Sequence, residues 1–344
     1  MKTPKILIFS FSFIGDAVLS TAVIQPLRKQ FPEAHLTFLV GPRAQSVLEG
    51  DLQIDTVLVY DNRGVHSGIW GKYRLIKALR RENFDLVLDL RDSFWARFIG
   101  AKRWGIVRGR NLHAATRYLD TLNRHGVATS AEVLGFAAGP MLTLSMSERN
   151  FADEFLRERG VVPNELLVGI HPGGNWIYKL WPAENFVRIG DILISDFHTR
   201  VLLFSGPDEQ ALQEKVAAMM KYKPIIVNEP SLRRVAALIN RCHLYLGNDT
   251  GTTHIAAAVG TPVVAIFGST SHIRSGPYGA QHQIVRSDVD LGCNPCHPGK
   301  NPGGCQKGRC QAMEAVTIEQ VLSVVRQFIA VAFSAINCAT TNEE

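Results

Sequence analysis

Gly247-Asn248-Asp249-Thr250-Gly251-Thr252-Thr253-His254-Ile255-Ala256-Ala257-Ala258 follows the apolar run Leu244–Leu246, and its reading decides the fold. A short apolar run ends in small polar residues, and a helix begins among them. That is the signature of a strand turning into a helix in an α/β protein. The alanines let the helix lie close to a sheet. Its first free N–H groups, together with the helix dipole, form a ready anion site. Asp and Thr also start helices for purely local reasons. This segment is nevertheless the most specific in the chain, and the functional reading is preferred over simple capping. A phosphate would repel Asp249, so that carboxylate suits sugar hydroxyls better.

The same alternation extends in both directions. In the N-terminal half, strands are expected at Lys5–Ser12, His35–Val40, Thr56–Tyr60 and Leu86–Leu90, with helices at Asp16–Gln30 and Tyr73–Glu82. A helix at Ser147–Arg159 leads to the turn-rich Gly160–Asn164, where a linker is expected. Strands then recur at Leu167–His171, Arg200–Phe204, Ile225–Asn228 and Val263–Phe267. Helices over Ala183–Ile194, Glu209–Met220 and Ser231–Arg241 separate them. This predicts two parallel-sheet α/β domains, 1–162 and 163–336, followed by a polar tail at 337–344. A chain of 344 residues fits two domains of roughly 150–200 residues. Two such halves invite a cleft, with ligands beyond the carboxyl ends of the strands.

The composition, 46% hydrophobic and 20% charged, is that of a globular protein. A net charge of +6 permits an anionic partner without choosing one. Lys2 and Lys5 before Ile6–Phe9 resemble the start of a secretory signal, but the apolar run stops at Gly15-Asp16 and passes into a helical pattern. No stretch reaches the roughly 20 apolar residues a bilayer span needs. A cytoplasmic location without structural disulfides is therefore expected.

Three further loops fall at strand ends. In Ser12-Phe13-Ile14-Gly15-Asp16, Asp16 reads first as a helix cap and second as a general base. In His171-Pro172-Gly173-Gly174-Asn175, the glycines let backbone N–H groups approach a phosphate, and Lys179 can supply a positive charge. In Ser205–Glu209, Glu209 is either a ribose ligand or a helix-start acid, and the sequence leaves both open. No G-x-G-x-x-G follows the first strand and no G-x-x-x-x-G-K-[ST] occurs, which disfavours a Rossmann dehydrogenase or P-loop NTPase.

Ile14-Gly15-Asp16, Pro32-Glu33-Ala34-His35, His171–Gly174 with Lys179 and Trp181-Pro182, Asp249-Thr250-Gly251 with His254, and Thr261-Pro262 through Phe267-Gly268 occur in an informative order. In these pieces the chain resembles the bacterial ADP-heptose:lipopolysaccharide heptosyltransferases, glycosyltransferase family nine. The resemblance implies a GT-B fold of two facing Rossmann-like domains, acceptor on the N-terminal one and donor on the C-terminal one. It also implies an inverting transfer with no catalytic metal. Asp16 then becomes the base and Lys179 the cation at the departing diphosphate. Gly173, Gly174, Thr250 and Gly251 become phosphate-side residues, Asp249 a sugar contact and Glu209 a ribose contact. His254 remains either a donor-side contact or a packing residue. Phe11 and Phe13 stand where the family often carries Arg or Lys, and Trp176 and Tyr178 are bulky. Both departures bear on which sugar is bound.

Arg97, Lys102, Arg103, Arg108 and Arg110 lie in a basic stretch of the expected acceptor domain. A solvated basic face is the default reading. In this family context the stretch also suits a phosphorylated lipid-linked glycan or the anionic cytoplasmic leaflet, with the enzyme peripheral at the inner face of the inner membrane. Cys293, Cys296, Cys305 and Cys310 are separated by two, eight and four residues. Such spacing can close a structural zinc or iron site, preferred here over four reduced thiols.

The expected partners are thus ADP-heptose and a lipopolysaccharide inner-core acceptor. A relative using another nucleotide sugar, or a protein or other glycan acceptor, is the alternative. A nucleic-acid-binding protein with a four-cysteine metal loop is the remote rival. It is disfavoured because no aromatic or basic reading element accompanies the loop, and nucleic acid is not an expected partner. An epimerase on the same scaffold would need a C-terminal constellation that the sequence does not show.

Overall fold

The computed structural model describes residues 3–109, 111–134, 139–279, 281–289, 296 and 310–340. Contacts divide the chain into two compact units, Met1–Ser145 with Ile273–Tyr278, and Met146–His272 with Gly279–Glu344.

The first unit contains β1 (Lys5–Phe9), α1 (Ile14–Ser20), α2 (Ile24–Gln30), β2 (His35–Val40), α3 (Pro42–Leu48), β3 (Thr56–Val59), α4 (Gly68–Arg81), β4 (Leu86–Asp89), β5 (Lys102–Gly105), α5 (Ala114–Arg124) and α6 (Ala131–Leu134). Its strands pair in parallel in the order β3-β2-β1-β4-β5. Leu7, Phe9, Leu39 and Val87 meet Leu75, Ile76 and Leu79 of α4 in a core on one face of the sheet.

The second unit contains α7 (Met146–Glu158), β6 (Leu167–His171), α8 (Ala183–Phe197), β7 (Arg200–Phe204), α9 (Gln210–Met219), β8 (Ile225–Val227), α10 (Leu232–Asn240), β9 (Leu244–Asn248), α11 (Gly251–Ala258) and β10 (Val263–Ile266). It continues with α12 (His272–Ser275), β11 (His282–Val285), α13 (Gln311–Glu314) and α14 (Ile318–Thr340). Contacts place most of α12 with the first unit. The second sheet runs β11-β10-β9-β6-β7-β8, all parallel. Both orders are doubly wound. Strand order reverses between β1 and β4 in one unit and between β6 and β9 in the other, which is where such sheets bind ligands.

Several elements differ from the sequence expectation for identifiable reasons. The expected helix over Asp16–Gln30 is interrupted by a 3-10 turn at Thr21–Val23. Pro26 has no N–H to donate to Ala22, so the ladder cannot run through. Strand β5, inside the basic stretch, is not expected from the sequence because it is a short edge strand, with Trp104 buried and Lys102 exposed. Helix α4 starts five residues before the expected Tyr73, because its first turn turns Ile69 and Trp70 outward and shows no inward period.

Helix α7 packs on α10 rather than belonging to the N-terminal domain. Arg233 Nε donates to Glu148 Oε1 at 2.7 Å, and Arg241 lies 2.6 Å from Asp153 Oδ2. The division by contacts therefore falls at Ser145/Met146, ahead of the 162/163 boundary read from the turn-rich sequence. At the other end, α14 continues to Thr340, so 337–340 are helical rather than part of a polar tail.

Candidate functional site

The switch point of the second sheet gathers four loops. Asn248, the last residue of β9, is fully buried and acts as a clasp. Its Nδ2 donates to Pro172 O at 2.9 Å and Gly173 O at 3.1 Å, while its Oδ1 accepts from Trp181 N at 3.1 Å. One amide thus fixes both ends of the loop between β6 and α8. Sequence reasoning quoted Asn248 without a role, because an amide that bonds only backbone leaves no pattern in the chain.

Asp249 follows, 5% exposed. Lys179 Nζ stands 2.7 Å from its Oδ2, and Thr270 Oγ1 donates to the same oxygen at 2.7 Å. His254 Nε2 lies 3.9 Å from Oδ1, too far for a hydrogen bond. The two chemically opposite candidates, Asp249 and Lys179, are therefore partners. Thr270, on the Gly-terminated loop after β10, has no role in the sequence reading, because only the fold sets it against Asp249.

Helix α11 begins immediately after. Thr250 is its N-cap residue in extended conformation and makes no side-chain cap. Its Oγ1 instead meets Thr252 Oγ1 at 2.9 Å and Thr253 Oγ1 at 3.3 Å. The first-turn N–H groups, starting at Gly251, are thus not consumed by a capping side chain and keep their affinity for an anion. A methyl on Gly174 would lie 3.3 Å from Thr250 Cγ2 and 3.0 Å from Leu180 Cδ2, so glycine keeps this space narrow.

Glu209, which the sequence left as either a ribose ligand or a helix-start acid, is held by neighbouring loops. It occupies the N-cap position of α9 yet makes no side-chain cap there. Its Oε2 instead accepts from Gly206 N at 2.6 Å and sits 2.8 Å from His171 Nε2. A carboxylate only accepts, so Nε2 carries the proton. The other ring nitrogen of His171 lies 2.9 Å from Thr252 Oγ1. Burial pushes the Glu209 carboxyl up. The His171 hydrogen bond and charge, with the Gly206 and Gly174 N–H groups, more than reverse this, leaving its pKa below the usual carboxylate value. A Cβ on Gly173 would run into this carboxylate.

In the first unit, Asp16 is the third residue of α1, not its cap; Phe13 holds that position without a side-chain cap. Burial and the Asp16 charge both raise the pKa of the Tyr118 hydroxyl, so Asp16 lies close to that buried phenol.

The basic candidates separate into kinds. Arg103 donates to the fully buried Asp89 at 2.7 Å and to Asp92 at 3.2 Å, and Arg108 donates to Asp92 at 2.8 Å. Arg103 is thus committed to structure rather than lying on a solvated basic face. Arg97 and Lys102 are exposed. Arg110 lies outside the described residues, as do Cys293 and Cys305. Cys296 is partly buried and Cys310, which precedes α13, is buried. Among the described residues, no helix is long and apolar enough to cross a membrane.

Comparison with known proteins finds relatives over most of the chain. A lipopolysaccharide core heptosyltransferase, OpsX, from Haemophilus influenzae is 28% identical over 304 residues, covering 83% of this chain and 85% of that protein. Lipopolysaccharide heptosyltransferase 3 of Escherichia coli is 27% identical, over 77% of this chain and 82% of its own. A glycosyl transferase family 9 structure from Veillonella parvula has a TM-score of 0.81 at 24% identity, covering 96% of this chain and 99% of that one. The E. coli ADP-heptose lps heptosyltransferase II structure has a TM-score of 0.73 at 19% identity, covering 95% and 98%. These likenesses fix the fold as GT-B. Residues 72–305 match glycosyltransferase family 9 (heptosyltransferase), and the chain belongs to that family of transferases.

Proposed function

We propose that this enzyme transfers a heptose from ADP-heptose to the lipopolysaccharide inner core, with inversion and without a catalytic metal. The observation that carries the reading is the pairing of Lys179 with Asp249 beside the start of α11, where the N-cap residue Thr250 makes no side-chain cap to the first-turn N–H groups. A nucleoside diphosphate needs a cation and oriented N–H donors. A sugar needs a fixed acceptor of hydrogen bonds. All three stand on adjacent loops of one sheet.

The roles follow from chemistry. The acceptor hydroxyl attacks the anomeric carbon as its bond to the diphosphate oxygen breaks. Asp16 takes the hydroxyl proton. Lys179 and the N–H groups of Gly251 and its neighbours stabilise the charge that gathers on the departing ADP. Asp249 holds the heptose hydroxyls, Glu209 the ribose, and Gly173 and Gly174 admit the diphosphate. His254 adds a ring nitrogen 3.9 Å from Asp249 Oδ1 on the donor side. Arg97, Lys102, Arg108 and Arg110 meet phosphates of a lipid-linked acceptor at the cytoplasmic membrane face, with Arg103 bracing Arg108 through Asp92. The four cysteines form a structural zinc or iron site, since four thiolates leave no open position for substrate. Burial of Cys310 supports this over a set of solvated thiols.

Thermal shift with ADP-, GDP- and UDP-sugars tests the donor, and transfer from ADP-heptose to deacylated inner-core oligosaccharide tests the acceptor. Stabilisation by ADP-heptose and transfer with inverted configuration are expected. Stabilisation by GDP- or UDP-sugars alone would overturn the donor assignment.

A further inference from the structure

Helix α4 has two apolar faces, and only one is covered. Leu75, Ile76 and Leu79 enter the core of the first unit, while Ile69, Trp70 and Tyr73 are 68%, 75% and 56% exposed. An ordinary surface helix turns polar residues outward. The 3-10 turn at Phe94–Phe98 repeats the anomaly, with Ala96 buried and Phe94 and Phe98 59% and 42% exposed. The two segments form one surface. Lys72 Nζ sits 5.4 Å from the Trp95 ring centre, and Arg80 Nε donates to Phe98 O at 2.7 Å. Trp95 in turn packs edge-on against Phe94, with ring centres 5.7 Å apart.

The charge within these two segments has one sign. Lys72, Arg74, Lys77, Arg80 and Arg81 lie on α4 and Arg97 on the turn, and neither segment contains an acidic residue. Exposed Trp and Tyr beside aliphatic and Phe side chains, ringed by Lys and Arg, match the layered chemistry of an anionic bilayer surface. The aromatics occupy the headgroup level, the apolar tips reach the acyl boundary, and the cations meet lipid phosphates.

We infer that α4 and the Phe94–Phe98 turn form the face by which the protein lies on an anionic lipid bilayer. The inference rests on the proposed lipid-linked acceptor, which obliges the enzyme to work at a membrane. It assigns that contact to residues outside the basic candidates read from the sequence, Arg97 excepted.

The test is co-sedimentation with vesicles of phosphatidylethanolamine and phosphatidylglycerol, against pure phosphatidylcholine. The protein is compared with the triple variant Trp70→Ser/Lys77→Ser/Phe94→Ser. All three side chains are exposed, so the variant is expected to unfold at the wild-type temperature. Wild type is expected to bind the anionic vesicles in a salt-sensitive manner, and the variant at least about tenfold more weakly. Transfer to a water-soluble deacylated acceptor, measured in parallel, is expected to be the same for both. If neither protein transfers but the vesicle difference remains, the face stands and the proposed function falls. Equal vesicle binding by the two proteins, or binding indifferent to lipid charge, overturns the face. Dimerisation lost in the variant, with no vesicle binding by wild type, assigns the surface to a second copy and also overturns it.

Discussion

Nε2 of His171 stands 2.8 Å from Oε2 of Glu209, so the last residue of β6 holds the carboxylate at the start of α9 in place. The same ring reaches Thr252 in the first turn of α11 at 2.9 Å. A single imidazole, 3% exposed, thereby couples the residue proposed for the ribose to the helix proposed for the diphosphate.

Replacing His171 by Ala removes the leading influence that lowers the Glu209 pKa and leaves burial, which raises it. Glu209 has a depressed pKa in the folded protein. Its contribution is complete above the unfolded value and is lost as pH falls through the lower folded value. In the variant that loss moves to higher pH. The donor KM of His171→Ala is expected to rise about tenfold near neutrality, the worth of one charge-assisted hydrogen bond. It should climb further toward about pH 5, where wild type stays flat. Steady-state kinetics across pH decide the matter, and an unchanged KM with only kcat reduced would contradict this positioning role.

Gly173→Ala tests the same carboxylate from the other side. The added methyl would occupy the space of the Glu209 side chain, and the loop is pinned by Asn248, so neither neighbour yields easily. A cost of about 1–3 kcal/mol is expected, as for other overpacked sites. ADP stabilisation in thermal unfolding should fall with it. Glu209→Ala in the same chain opens that space, so the double variant should recover stability but not ADP affinity.

Much of this arrangement was legible in the chain. His35–Val40, Leu167–His171 and Arg200–Phe204 are strands at the expected limits, because buried parallel strands are continuous apolar runs. Asp249, Lys179 and Glu209 were identifiable because each follows such a run. What escaped depends on contacts between distant segments. Thr270 and Asn248 acquire meaning only when β6, β9 and β10 lie side by side. Edge strand β5 and the outward first turn of α4 break the patterns that reveal buried elements. Arg103 looked like part of a solvated basic face because nothing local shows that Asp89 lies beneath it.

Asp16→Asn is expected to reduce transfer by about 10²–10⁴-fold, the usual worth of a positioned general base. Asp16 sits in the first turn of α1, and the loops proposed to bind ADP belong to the other unit. ADP affinity, read by calorimetry, should therefore be unchanged. Transfer retained within about tenfold would remove Asp16 from the role of base.

Elemental analysis of the purified protein should find about one zinc or iron per chain. Cys310→Ser is expected to lower both metal content and the unfolding temperature. If a metal is bound structurally, chelation should destabilise the protein before it affects the KM of the remaining folded fraction. Full occupancy in the variant would exclude Cys310 as a ligand.

The Lys179–Asp249 pair allows stability and catalysis to be separated. Asp249 has 6% of its side chain exposed and Lys179 23%, at 2.7 Å. Lys179→Met leaves a nearly buried carboxylate with Thr270 as its remaining close partner, a loss of up to about 3 kcal/mol once the exposure of Lys179 is discounted. Asp249→Asn in that background removes the uncompensated charge, so the double variant should recover most of the lost unfolding temperature. Transfer should not recover, because the diphosphate still lacks its cation and the sugar its carboxylate. A double variant that regains transfer would show that the pair serves only to hold the loop. A single Lys179→Met variant with wild-type stability would show that Lys179 is poised for substrate rather than for Asp249.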